Sequence, residues 1–146
     1  MSPYENVVSP QQSLEQKRAA FAWDRIKKVP EGNKKEYGSL VKRTPADIQV
    51  NGLGQTLAFW RAKGYKNGHP QNNKADADVL LHVSEWLLMD ERHFNINNNE
   101  QYEGNKVVYW ISHDATTDTY RRATSEAIAI LLWLKRFAEA EFSSDS

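Results

Sequence analysis

The C-terminal run that opens at Thr116 or Thr117 and closes at Phe142 constrains the fold more than any other part of the chain. It predicts a single helix of about 26 residues, roughly 39 Å long at 1.5 Å per residue. Tyr120, Ala123, Ala127, Leu131, Leu134 and Ala138 lie along one side, with Ile128, Ile130 and Phe137 on the flanks. Ala129, Leu132 and Trp133 fall on or near the opposite side. A helix that is apolar nearly all round its middle is usually enclosed by others, which predicts the central helix of a bundle. A second reading stays open: the far side, with Arg122, Ala129, Trp133 and Arg136, docks a partner, because aromatic residues and arginine are favoured at interfaces.

The rest of the chain also reads as helices separated by punctuation. No alternating segment is long enough for a sheet, so the expected class is all-α, a compact multi-helix bundle whose long C-terminal helix is largely buried. The first helix is expected to open at Ser13, with Gln16 completing a capping box, and to run to about Val29 before Pro30. Ala19, Ala22, Ile26 and Val29 share its core face, with Trp23 at the margin. A second helix carries Tyr37, Leu40 and Val41. Thr44-Pro45 then reads as an N-cap and first-turn proline, giving a kink or a new short helix. Asn51-Gly52 is expected to end a helix with a left-handed residue, and Gly54 to permit tight packing before the next helix, which closes on Arg61 and Lys63. Residues 64–74 and 95–99, rich in glycine and asparagine, read as exposed, mobile loops. Between them, residues 76–90 form a helix with a buried stripe of Val79, Leu80, Val83, Trp86 and Leu87, leaving Asp78, His82, Glu85 and Met89 on a polar face. Residues 106–112 are expected to be a short helix despite their strand propensity, since no second strand exists to pair with them. One domain, 13–142, follows, between a flexible N-terminal segment 1–12 and a tail 143–146.

Composition limits the function. The 146 residues suit one core, and 19 basic residues balance 19 acidic ones, so long-range attraction to nucleic acid or membrane is absent and any charge-driven binding needs a local patch. No cysteine is present, which removes disulfides, thiolate nucleophiles and cysteine zinc sites. No signal-peptide pattern and no apolar run of membrane-spanning length occurs, and a soluble cytoplasmic protein is expected. Basic residues pair up at Lys17-Arg18, Lys27-Lys28, Lys34-Lys35, Lys42-Arg43, Arg121-Arg122 and Lys135-Arg136. Those pairs mark either ordinary solvated helix faces or an RNA-binding side opposite an acidic one. The candidate basic surface comprises Lys17, Lys42, Arg43, Arg61, Arg121, Arg122, Lys135 and Arg136, and Trp133 and Gln55 are candidate subunit contacts.

Catalytic signals are weak. Gly52-Leu53-Gly54 lacks both the GxGxxG spacing and a phosphate-binding lysine. Asp78, His82 and Glu85 share one helical turn and could hold a metal or act as acid and base, but without an HExxH pattern or a second ligand group a solvated polar face is the simpler reading. No nucleophile elbow occurs, and no catalytic residue, metal ligand, cofactor or small-molecule substrate is assigned.

Three segments together carry a family resemblance: Asn51-Gly52-Leu53-Gly54-Gln55-Thr56-Leu57-Ala58-Phe59 followed by Lys63-Gly64, the run from Tyr120-Arg121-Arg122-Ala123-Thr124-Ser125-Glu126-Ala127 to Leu132-Trp133-Leu134-Lys135-Arg136-Phe137-Ala138-Glu139-Ala140, and Leu14-Glu15-Gln16-Lys17-Arg18-Ala19-Ala20-Phe21-Ala22. Over most of its length, and in chain order, the sequence resembles the small helical subunit of the type III-B CRISPR effector, the Cmr RNA-targeting complex, with residues 65–115 matching least. The resemblance implies a non-catalytic all-α protein whose copies stack beside the backbone subunits and line the path of guide RNA and target RNA in antiviral defence. It implies as partners the other Cmr subunits, further copies of the chain and the two RNAs, and no membrane. The alternatives are a stand-alone helical adaptor or nucleic-acid-binding module, and a metal-dependent hydrolase on the Asp78 face.

Overall fold

The computed structural model describes residues 10–89 and 94–142, so most of the expected N-terminal segment and the whole of the tail lie outside the described residues. Helix α1, Pro10–Ile26, begins three residues before the expected cap. Proline suits the first helical turn, where its missing N–H has no partner to lose. Ser13 therefore sits inside the helix and does not open it. Ala22, Ile26 and Val29 are buried as expected, while Trp23 is 53% exposed. The helix stops at Ile26, and tight turns bonding Lys28 N to Arg25 O and Val29 N to Ile26 O lead to Pro30.

A 3-10 turn, Glu31–Asn33, leads into α2, Lys34–Asn51. No new helix begins at Thr44-Pro45, because α2 continues through it to Asn51. Thr44 is buried and its Oγ1 donates to the Leu40 carbonyl, so it is a mid-helix residue and not a cap. An interior proline costs about 3 kcal/mol. Burial of Tyr37, Leu40, Val41 and Ile48 on the same face outweighs that cost. The chain reverses at Gly52, whose φ of 87° and ψ of 160° lie in a region essentially reserved for glycine. Helix α3, Leu53–Gly64, follows at once. Gly54 N donates to Tyr120 Oη at 2.9 Å, and a β-carbon at Gly54 would stand 3.1 Å from that hydroxyl. Tight packing at Gly54 thus has a specific partner.

Residues 65–70, expected as loop, form a small antiparallel hairpin of β1, Tyr65–Lys66, and β2, His69–Pro70. Asn67 (φ 54°) and Gly68 (φ 79°) make its two-residue turn, for which Asn-Gly is the favoured sequence. Hydrogen bonds from Gln71 N to Gly64 O, from Asn33 Nδ2 to Asn72 O and from Asn105 Nδ2 to Gly68 O hold the segment against the bundle.

Helix α4, Ala75–Leu88, is the centre of the bundle. Nine of its 14 residues are buried, and it packs on α2, α3, α5 and α6. Helix α5, Glu103–His113, covers the strand-prone segment, which is helical as expected. Helix α6, Thr117–Glu141, opens with a reciprocal capping box between Thr116 and Thr119. It buries Ala123, Ala127, Ile130, Leu131, Leu134 and Ala138 against α1, α2 and α4, while Leu132 stays 46% exposed. The long terminal helix is therefore covered along one side, and the enclosed position belongs to α4.

Candidate functional site

Two anchor points set the geometry of α2 against α6. Gly38 lies against Phe142 at one end of α2 and Gly52, its C-cap, against the Tyr120 hydroxyl at the other, so the two helices run antiparallel. A step of 100° per residue then places Lys42 on the outer edge of α2 next to α6, and Arg121 and Lys135 on the matching edge of α6. Between the anchors Lys42 and Lys135 stand at about the same height, with Arg121 about 21 Å farther along α6. Lys42 and Arg121 are exposed and Lys135 is half-buried. None of the three forms an ion pair or side-chain hydrogen bond with another described residue. The same holds for exposed Lys17 on α1 and Arg43 on α2.

The other candidate cations have internal partners. Arg122 Nε lies 3.4 Å from Asp118 Oδ2, and its guanidinium sits 5.2 Å from the centre of the Phe94 ring. Arg136 pairs with Glu139 at 3.2 Å. Arg61, half-buried in the last turn of α3, donates from Nε to Asn105 Oδ1 at 2.6 Å and lies 5.7 Å above Tyr65, tying α3 to α5 and the hairpin. The partners Asp118 and Glu139 stand one helical turn away in the sequence, whereas Phe94 and Asn105 become neighbours only through folding.

Two concave surfaces gather the remaining candidates. A groove of about 330 Å³ between α2 and α3 brings Arg43 together with Gln55, beside Asp47, Asn51 and Phe59. A shallow depression of about 400 Å³ on the outer side of α6 is lined by Glu15, Ala129, Leu132, Trp133 and Arg136. From Trp133 an aromatic row continues to Phe137 (centroids 5.7 Å apart) and on to Trp23 on α1 (5.3 Å). Trp133 thus joins Arg136, and Gln55 joins Arg43, but the two groups lie on different faces. Sequence reasoning missed Asp47 and Phe59, although their four-residue spacing from Arg43 and Gln55 was visible.

The Asp78, His82 and Glu85 face is not an open polar one, since His82 is buried and Asp78 and Glu85 are half-buried. His82 is 3% exposed, and its Nδ1 is 2.8 Å from Tyr37 Oη. Burial, with the Arg25 and Lys28 charges nearby, pushes the His82 pKa down to about 3, so the ring is neutral. Burial also raises the Tyr37 pKa well above its ordinary value. Tyr37 therefore donates and His82 Nδ1 accepts. Asp78 accepts from Asn33 Nδ2 at 2.7 Å, and its pKa is raised by burial. Glu85 accepts from Arg25 Nε at 2.8 Å. Each member of the trio points to a different structural partner, and no cluster of three potential metal ligands occurs among the described residues. Nor is any described helix long and apolar enough to cross a membrane.

The family model described as CRISPR-associated protein (Cas_Cmr5) matches residues 14–141, from the second turn of α1 to the last residue of α6. The chain belongs to this family, that of the small subunits of the type III-B CRISPR Cmr complex.

Proposed function

We propose that the protein is a cytoplasmic, non-catalytic scaffold of the Cmr ribonucleoprotein, packing beside the backbone subunits and further copies of itself and lining the guide and target RNA path. The observation that carries this reading is the division among its charges. The seams around α4 use their ions internally, as in Arg18 with Glu126 at 2.7 Å and Arg25 with Glu85 at 2.8 Å. Lys42, Arg121 and Lys135 along the α2–α6 seam make no such pair among the described residues. Cations at the surface without internal partners suit phosphates, and the distance of about 21 Å from Lys135 to Arg121 spans several nucleotides. The apolar depression around Trp133, rimmed by Glu15 and Arg136, has the composition of a protein contact and supports docking of a neighbouring subunit there. Asp78, His82 and Glu85 on α4 are each held by a structural partner, which supports a role without bond-breaking chemistry.

The test is a triple charge reversal, Lys42→Glu with Arg121→Glu and Lys135→Glu, in the assembled complex. RNA affinity falls, and the dependence of log K on log salt becomes shallower by about 0.7 for each lost phosphate contact. Unchanged affinity and slope in a complex of normal subunit composition would refute the placement of this seam along RNA.

A further inference from the structure

We propose that the α2–α3 groove binds one unpaired guanine nucleotide, an inference that rests on the RNA-lining reading and adds sequence preference to it. Arg43, Asp47 and Asn51 recur every four residues and so form one line about 12 Å long on α2. Gln55 and Phe59 form the facing line on α3, and Leu40, Thr44, Thr56 and Trp60 close the floor as buried residues. A volume of about 330 Å³ lies at the low end for small-ligand pockets and suits a single nucleotide.

The walls are equipped for a base and leave their hydrogen-bonding capacity unused. The side chains of Arg43, Asp47, Asn51 and Gln55 make no hydrogen bond or ion pair with another described residue. Arg43 and Asp47 stand at the i,i+4 spacing that joins Lys28 to Asp24 and Arg122 to Asp118, yet they do not pair with each other. Phe59 is 51% exposed. A flat aromatic ring beside a carboxylate, two carboxamides and a guanidinium is the combination that recognises an unstacked base. A peptide anchors instead through apolar side chains. Leu40, Trp60 and Phe59 supply an apolar floor and one ring, while the four other side chains that rise along the walls are polar, an arrangement that suits a flat base with a polar edge.

Asp47 selects the base. Its carboxylate only accepts hydrogen bonds, and guanine alone presents two adjacent donors, N1–H and the N2 amino group, on its pairing edge. Gln55 or Asn51, deep in the angle of the two helices, donates to O6. Phe59 stacks on the ring, and Arg43 at the mouth takes the phosphate.

The test uses the full-length chain and the assembled complex with fluorescent oligouridine carrying one central guanosine, inosine or adenosine. Guanosine binds about 10-fold more tightly than inosine, which lacks the N2 amino group, or adenosine. Asp47→Asn abolishes that discrimination. Equal affinity for guanosine and inosine in the wild-type protein overturns the proposal, as does a photoreactive side chain at position 59 that crosslinks to a neighbouring subunit in place of RNA. The two readings fail separately. If the seam reversal weakens all three oligonucleotides while the wild type does not distinguish them, only the groove assignment falls. If the seam reversal weakens none, the RNA path itself is misplaced.

Discussion

Acidification should destabilise this protein through a single histidine. In the folded chain His82 is neutral, with a pKa of about 3, because it lies inside α4 against Tyr37 with the Arg25 and Lys28 charges nearby. Unfolding releases it to the ordinary value of about 6.5. Below that value the unfolded state binds a proton that the folded state refuses, so the stability held above pH 6.5 is lost progressively as pH falls towards 3. The slope is about 1.4 kcal/mol per pH unit once well inside that window. Between pH 7 and pH 5 the loss comes to about 2 kcal/mol, or about 6 °C in Tm for a chain of this size. Asp78 and Asp76 work in the opposite direction, since burial raises both carboxyl pKa values and so favours the folded state in acid, and both are common to the wild type and the variant compared below. The assay is urea denaturation of the wild type and His82→Gln at both pH values, the glutamine keeping an acceptor for the Tyr37 hydroxyl. The wild type loses about 2 kcal/mol more than the variant over this interval. Equal losses would mean that His82 protonates without unfolding and that the burial argument fails.

Two further substitutions probe the packing. Gly64→Ala drives a β-carbon into the backbone of Ala77, so α3 and α4 must separate, and the variant loses about 3 kcal/mol in denaturant titrations. A loss below about 0.5 kcal/mol would show that this junction gives easily. Tyr120→Phe removes the acceptor for Gly54 N and costs about 1 kcal/mol, with faster amide exchange at Gly54 as the specific sign. Trp133→Ala leaves the isolated chain folded, because the ring is only half-buried. It lowers incorporation into the complex in co-purification, and normal incorporation would remove the depression on α6 as a subunit contact.

What the sequence determined by itself was periodic. The α6 stripe, the α4 stripe and the special glycines at 52 and 54 follow from spacing and backbone chemistry, which act within a few residues. The cations on α2 and α6 were legible for the same reason. The helix over 106–112 was expected only for want of a partner strand, and its start at Glu103 was not read. Which helix is enclosed was not legible either, because an apolar circumference shows that a helix can be surrounded without showing that it is. Polar His82 sits in the core of α4 only because Tyr37, 45 residues away, supplies a hydrogen bond there. Pro45 stays helical only because its neighbours bury a face large enough to outweigh the lost bond. The pairing of the α2 and α3 rows across one groove depends in the same way on the angle set at Gly52. Local propensity is weak beside tertiary burial, so the choice among locally permitted arrangements was made by contacts between residues far apart in the chain.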